Sequence, residues 1–88
     1  MLKTRITHWF PFVTFCPVNS LPDFIFIEIT FDNTFVELYA VRKNLRRLVQ
    51  GKKIFMEDVL SLVAEHYSTA SSITVRLAFN KHVVTLER

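Results

Sequence analysis

Three side chains in this 88-residue sequence have the chemistry of an active site: the thiol of Cys16 and the carboxyl groups of Asp23 and Glu57. A thiolate is a strong nucleophile that can add to a C≡N or C=O bond, and a nearby acid can supply the proton that this addition requires. A second carboxylate can accept two hydrogen bonds from an amino group and a ring N–H. On composition alone, simpler explanations are favoured: Cys16 as a small buried hydrophobic residue, and Glu57 as a first-turn helix acid.

The surroundings of Cys16 favour the catalytic interpretation. Residues 12–24, FVTFCPVNSLPDF, resemble the active-site segment of the nitrile reductases called QueF, in which a Cys-Pro pair is followed at this spacing by Pro-Asp-Phe. The resemblance implies that Cys16 attacks the nitrile of 7-cyano-7-deazaguanine to form a covalent thioimide. It also implies that Asp23 acts as the acid.

A second match surrounds Glu57. Residues 54–58, IFMED, are similar to the family's Phe-His-Glu-Asp segment, which implies that Glu57 anchors the purine-like base. Met56 stands where the family has His, and this removes a possible hydrogen-bond donor. Phe24 and Phe55 lie beside the two motifs and are expected to shape the base pocket, with core packing as the competing explanation.

The resemblance allows two fates for the thioimide. In the reductases NADPH reduces it to the aminomethyl base used for queuosine, and those enzymes share a Glu-Ser-Lys-Ser-type segment of which this chain retains only Glu37. In a shorter branch, the QueF-like amidinotransferases, ammonia attacks instead and converts the base already in tRNA to archaeosine. Residues 50–57, with Gly51 six positions before Glu57, are more similar to that branch. We therefore expect amidine formation without a cofactor, with NADPH-dependent reduction as the alternative.

Basic residues cluster on the first predicted helix and just after it, in a chain of net charge +3. Such a set could contact the phosphates of tRNA by charge rather than by base sequence, although a solvated helix face explains any single member. The set comprises Arg42, Lys43, Arg46, Arg47, Lys52 and Lys53.

Six predicted elements position these residues. Alternation predicts strands over Thr4–Phe10, Asp23–Phe31, Ile73–Phe79 and His82–Glu87, and helical spacing predicts helices over Val36–Gln50 and Met56–Tyr67. Pro11, Pro17 and Pro22 exclude a helix between the first two strands and place Cys16 in a constrained loop. Gly51 is expected to end the first helix, and residues 80–81 to form a tight turn.

The order ββααββ predicts one α+β domain over residues 1–88, an antiparallel four-stranded sheet with both helices on one face. This order is similar to the tunnelling fold, whose subunits join into oligomeric barrels with sites between neighbours. A homo-oligomer is expected because a lone four-stranded sheet leaves its edge strands unpaired.

Composition excludes several other classes. One glycine cannot build a phosphate-cradling loop, and three separated histidines with one cysteine predict no metal site. The single cysteine forms no internal disulfide, and the sequence has neither a membrane span nor an apolar leader, so we expect a cytoplasmic protein. Two further classes remain open: a tunnelling-fold protein that binds a purine or pterin through Glu57 without using the thiol, and a basic RNA-associated oligomer with a structural Cys16.

Overall fold

The computed structural model describes residues 3–79 and 81–88 as one antiparallel sheet with two helices on one face. The elements in chain order are β1 (Arg5–Phe15), β2 (Pro22–Asp32), α1 (Leu38–Val49), α2 (Met56–His66), β3 (Ser72–Leu77) and β4 (Val83–Glu87). The strands follow one another across the sheet in the order β1-β2-β3-β4. The predicted ββααββ order and α+β class are therefore confirmed, whereas the turn expected at residues 80–81 includes Asn80, which lies outside the described residues.

The core lies between the sheet and the two helices. Alternation on β2 sends four apolar side chains to the helix face, each no more than 1% exposed: Ile25, Ile27, Ile29 and Phe31. The helices cover them with one apolar stripe each, Val41, Leu45 and Val49 from α1 and Met56, Val59 and Val63 from α2. Because burial of such side chains is the main driving force of folding, this layer fixes which sheet face the helices cover.

Strand β1 is longer than predicted, because it continues through Pro11 to Phe15. The N–H groups of Val13 and Phe15 point away from β2, toward the Gln50 side chain and the Lys52 carbonyl at 3.0 and 2.8 Å. By strand alternation, the donor that Pro11 lacks would have pointed the same way. Proline is tolerated in an edge strand for this reason, so the predicted end of the first strand at Phe10 was wrong.

The linker between the helices pairs with the end of β1. Gly51 N–H donates to the Val13 carbonyl at 2.7 Å, and Ile54 N–H donates to the Phe15 carbonyl at 3.0 Å. Gly51 follows α1 with φ of 74°, a left-handed conformation that favours glycine and ends the helix as expected. The start of α2 is thereby attached to the end of β1.

Two element ends differ from the sequence prediction. Strand β3 stops at Leu77, and Phe79 is 84% exposed instead of contributing to the core face. Helix α1 begins at Leu38, because the carboxylate of Glu37 accepts the N–H groups of Tyr39 and Ala40 and caps the helix. Neither helix of the described chain is long and apolar enough to cross a membrane.

Candidate active site

The hairpin between β1 and β2 brings Cys16 and Asp23 together. Thr14 lies directly opposite Asp23 in the strand register. One step beyond the paired strands, Cys16 N–H donates to the Leu21 carbonyl at 2.9 Å, and the Cys16 carbonyl accepts from Ser20 N–H at 2.8 Å. Cys16 is therefore the diagonal neighbour of Asp23 across the hairpin.

Alternation places both groups toward the helices. Even-numbered residues of β1 and odd-numbered residues of β2 face the core, as Phe12 and Ile25 do. Diagonal neighbours on one face have Cα atoms about 7–8 Å apart, within reach of a ligand that touches both side chains. Cys16 and Asp23 are each only half-buried, and Cys16 is not a member of the core cluster. The thiol is thus at the rim of the core, beside an acid.

Glu57 lies in the first turn of α2 and contacts a residue that the sequence analysis did not single out. His82, just before β4, places its Nε2 atom 3.2 Å from Glu57 Oε1. The pKa of the Glu57 carboxyl is lowered, first by its own backbone N–H and then by the hydrogen bond from His82. The anion is therefore favoured, which suits an acceptor of two N–H donors.

Glu57 lies at the same end of the sheet as Cys16, and its carboxylate is directed toward the last strand. Cys16 follows β1, the first strand, whereas Glu57 contacts His82 beside β4, the last strand. Three strand spacings separate β1 from β4, or about 14 Å. Glu57 nevertheless follows Ile54 by only three residues, and Ile54 N–H donates to the carbonyl of Phe15, the residue before Cys16.

The two phenylalanines expected in the pocket are not core residues, since Phe24 is 48% and Phe55 46% exposed. Phe55 precedes α2, beside Glu57. Phe24 lies on the open sheet face, with its ring edge-on to Phe79 at 5.9 Å between centroids. The rings of Phe24 and Phe79 help to line an apolar groove of about 390 Å³, whose walls include Pro11, Val13, Phe26 and Gln50. Phe24 is thus on the sheet face opposite the thiol.

One departure from the reductase pattern and one retained residue both have structural roles. Met56, where the family has His, is 8% exposed and belongs to the core, so this position contributes packing. Glu37, the retained residue of the reductase segment, is engaged as the cap of α1.

The six basic residues are all exposed, four along α1 and two in the linker: Arg42, Lys43, Arg46, Arg47, Lys52 and Lys53. Among the described residues, no group of three or more His, Cys, Asp or Glu side chains is arranged to hold a metal.

The architecture defines an α+β domain of the tunnelling-fold type, with four antiparallel strands and both helices on one face. A solved structure with the same fold is that of the archaeosine synthase QueF-Like in the apo form, with a TM-score of 0.65 and 14% sequence identity. The match covers 97% of this chain and 91% of that one. No family model and no curated protein matches the sequence.

Proposed function

We propose that this chain is a thioimide-forming enzyme that acts on the nitrile of 7-cyano-7-deazaguanine and converts it to an amidine in tRNA. The observation that carries the proposal is the placement of Cys16 and Asp23 as diagonal neighbours on one face of the β1–β2 hairpin. The likeness of the fold to an archaeosine synthase supports the same class of chemistry. The residue spacing supports it independently of the fold.

The chemistry follows from the order of bonds. The thiolate of Cys16 attacks the nitrile carbon, a C–S bond forms, and the π electrons move to nitrogen, which takes a proton from Asp23. Ammonia then adds to the thioimide carbon, the C–S bond breaks, and the thiolate leaves the amidine product, while one proton of the added ammonia returns to the Asp23 carboxylate. The sum is addition of ammonia to a nitrile without oxidation or reduction, so no redox cofactor is required.

Glu57 anchors the base in this proposal, and His82 orients the anchor. The amino group and ring N–H of a guanine-like edge can donate to the two carboxylate oxygens. The contact of His82 with Oε1 restrains the side chain and favours its charged form. This arrangement selects ligands with two adjacent donors.

The covalent step is tested by incubating the protein with 7-cyano-7-deazaguanine and measuring its intact mass. We expect a gain equal to the whole ligand, because nothing leaves in a thiol addition, and no gain for Cys16→Ala. Asp23→Asn should slow adduct formation by about 10²-fold or more. Glu57→Gln should weaken binding, whereas the matched variant Asp58→Asn on the next residue should not. Binding of the base without a covalent adduct would favour a non-catalytic purine binder instead.

The fate of the thioimide is decided by supplying ammonium and NADPH separately. We expect amidine only with ammonium, on tRNA that carries the nitrile base. Consumption of NADPH that depends on the nitrile would show a reductase and contradict the proposal.

The exposed basic residues support a substrate base that is already part of tRNA. The exposed face of α1 carries four of them, Arg42, Lys43, Arg46 and Arg47. Contacts from such a face to phosphates need no base recognition. Replacing Arg42 and Arg46 by Gln should weaken tRNA binding and reduce the slope of log K against log salt by about one for each lost contact. An unchanged slope would remove these residues from the tRNA interface.

A further inference from the structure

Thr14 has a buried hydroxyl group that no other part of the described chain satisfies. The residue is 1% exposed, and its Oγ1 atom has no hydrogen-bond partner. Leaving such a group unpaired is destabilising, and a valine would fill a similar volume with the same strand preference. A buried group of this kind calls for an explanation, and one is a partner that turns toward it in a working state.

The position of Thr14 identifies that partner. It lies opposite Asp23 in the register and two residues before Cys16, so all three side chains point to the helix face. The N–H group of Thr14 points toward β2, because the N–H groups of its neighbours Val13 and Phe15 point away from that strand. Directly opposite residues have Cβ atoms about 4.5–5.5 Å apart, which is within reach of a side-chain hydrogen bond.

We propose that Thr14 is a positioning residue whose hydroxyl donates a hydrogen bond to the carboxyl group of Asp23 when ligand is bound and directs that acid toward the ligand nitrogen. This inference rests on the proposed function, because it assigns Asp23 the proton transfer. Thr14 itself does not react. Its role is to select one orientation of a half-exposed carboxyl group that would otherwise rotate.

The test compares Thr14→Val, which removes the hydroxyl and keeps the shape, with the wild type. We expect Thr14→Val to fold with an unchanged or higher unfolding temperature, because the unpaired group is gone. At saturating 7-cyano-7-deazaguanine its rate of adduct formation on Cys16 should fall about tenfold or more, since the acid is no longer held. The concentration for half-maximal rate should stay near that of the wild type, because Glu57 is untouched.

A second pair of variants protects the test from effects of packing. Thr14→Ser and Thr14→Ala lose the same methyl group and differ only in the hydroxyl, so the serine variant should retain most of the rate that the alanine variant loses. Equal rates for this pair, or a wild-type rate in Thr14→Val, would overturn the inference while leaving the proposed function intact. Absence of any adduct on the wild-type protein would overturn both.

Discussion

At the residue scale, the site combines one observed contact with one unsatisfied group. Glu57 already has a partner in His82, whereas Thr14 Oγ1 has none. The difference corresponds to the two tasks proposed for the site, since an anchor should be fixed before the ligand arrives and an acid must be oriented toward it. His8 also has a buried ring nitrogen, Nδ1, without a partner, but it lies between Phe10 and Phe31 and away from the hairpin end.

The Glu57–His82 contact predicts a measurable change in titration. Two hydrogen bonds favour the Glu57 anion, the larger contribution coming from its own backbone N–H and the smaller from His82, so both lower the pKa. Replacing His82 by Ala should therefore raise the midpoint of the Glu57 carboxyl titration, measured by NMR, but leave it below the ordinary value. As the pH falls through this midpoint, the carboxylate is neutralised and the contact is lost.

The control for this titration is His66→Ala. His66 lies at the other end of the same helix, nine residues from Glu57, or about 13 Å along the axis. Its replacement should leave the Glu57 midpoint in place. A midpoint equally unaffected by His82→Ala would mean that the contact does not persist in solution.

At the element scale, α2 is held at both ends. Its start follows the linker that pairs with β1, through the bond from Ile54 N–H to the Phe15 carbonyl. Its end is held by Arg88, whose guanidinium donates to four carbonyls: those of Ala64, Tyr67, Ser68 and Ala70, at 2.7, 2.9, 2.6 and 3.2 Å. The Ala64 carbonyl lies in the last turn of α2, where carbonyls lack internal partners, and the other three lie in the segment that follows. The guanidinium therefore joins the helix end to this segment and complements the helix dipole.

This contact predicts that Arg88→Ala destabilises the fold. Loss of a charged donor to several carbonyls should lower the free energy of unfolding by about 1–3 kcal/mol. The measurement is equilibrium denaturation in urea with the slope unchanged. Arg42→Ala, on the exposed face of α1, is the matched control and should change stability by less than about 0.5 kcal/mol. Equal effects of the two variants would show that Arg88 does not secure α2.

At the scale of the whole molecule, one face of the sheet carries large exposed side chains. Trp9 is 60% and Phe24 48% exposed, and Val83 is 43% exposed on β4. Within the described chain, the helices cover the other face, and β4 pairs with β3 alone. Apolar surface and an unpaired edge are typical of a subunit that assembles, so we propose a homo-oligomer with a site between neighbouring copies.

Assembly of this kind predicts complementation between two impaired variants. If Cys16 of one copy works with Glu57 of the next, Cys16→Ala should form no adduct and Glu57→Gln should form little at low ligand concentration, but a mixture of the two should recover activity. In randomly mixed assemblies about a quarter of the sites would be intact. The measurement is adduct formation after dissociation and reassembly of the mixture. A mixture as inactive as its parts, in assemblies shown to exchange subunits, would place the site within one chain.

Local patterns were sufficient to predict much of this protein. Alternation in residues 24–31 and the helical spacing of apolar residues in α1 and in α2 depend only on neighbours along the chain. The element order and the buried faces could therefore be predicted. The same holds for the separation of Cys16 and Asp23, which a single hairpin closes. Pro11 misled the prediction, because whether a missing donor matters depends on the strand being at an edge.

Tertiary structure decided what lies beside each candidate group. His82 reaches Glu57 only because β4 passes the start of α2, a contact between residues 25 positions apart. Thr14 became significant only when its hydroxyl was found buried and unpartnered opposite Asp23. Sequence spacing specifies which residues share a face, whereas hydrogen-bond satisfaction depends on every element packed around that face. For this physical reason the sequence could propose a nucleophile, an acid and an anchor, but not His82 and Thr14 as the residues proposed to position them.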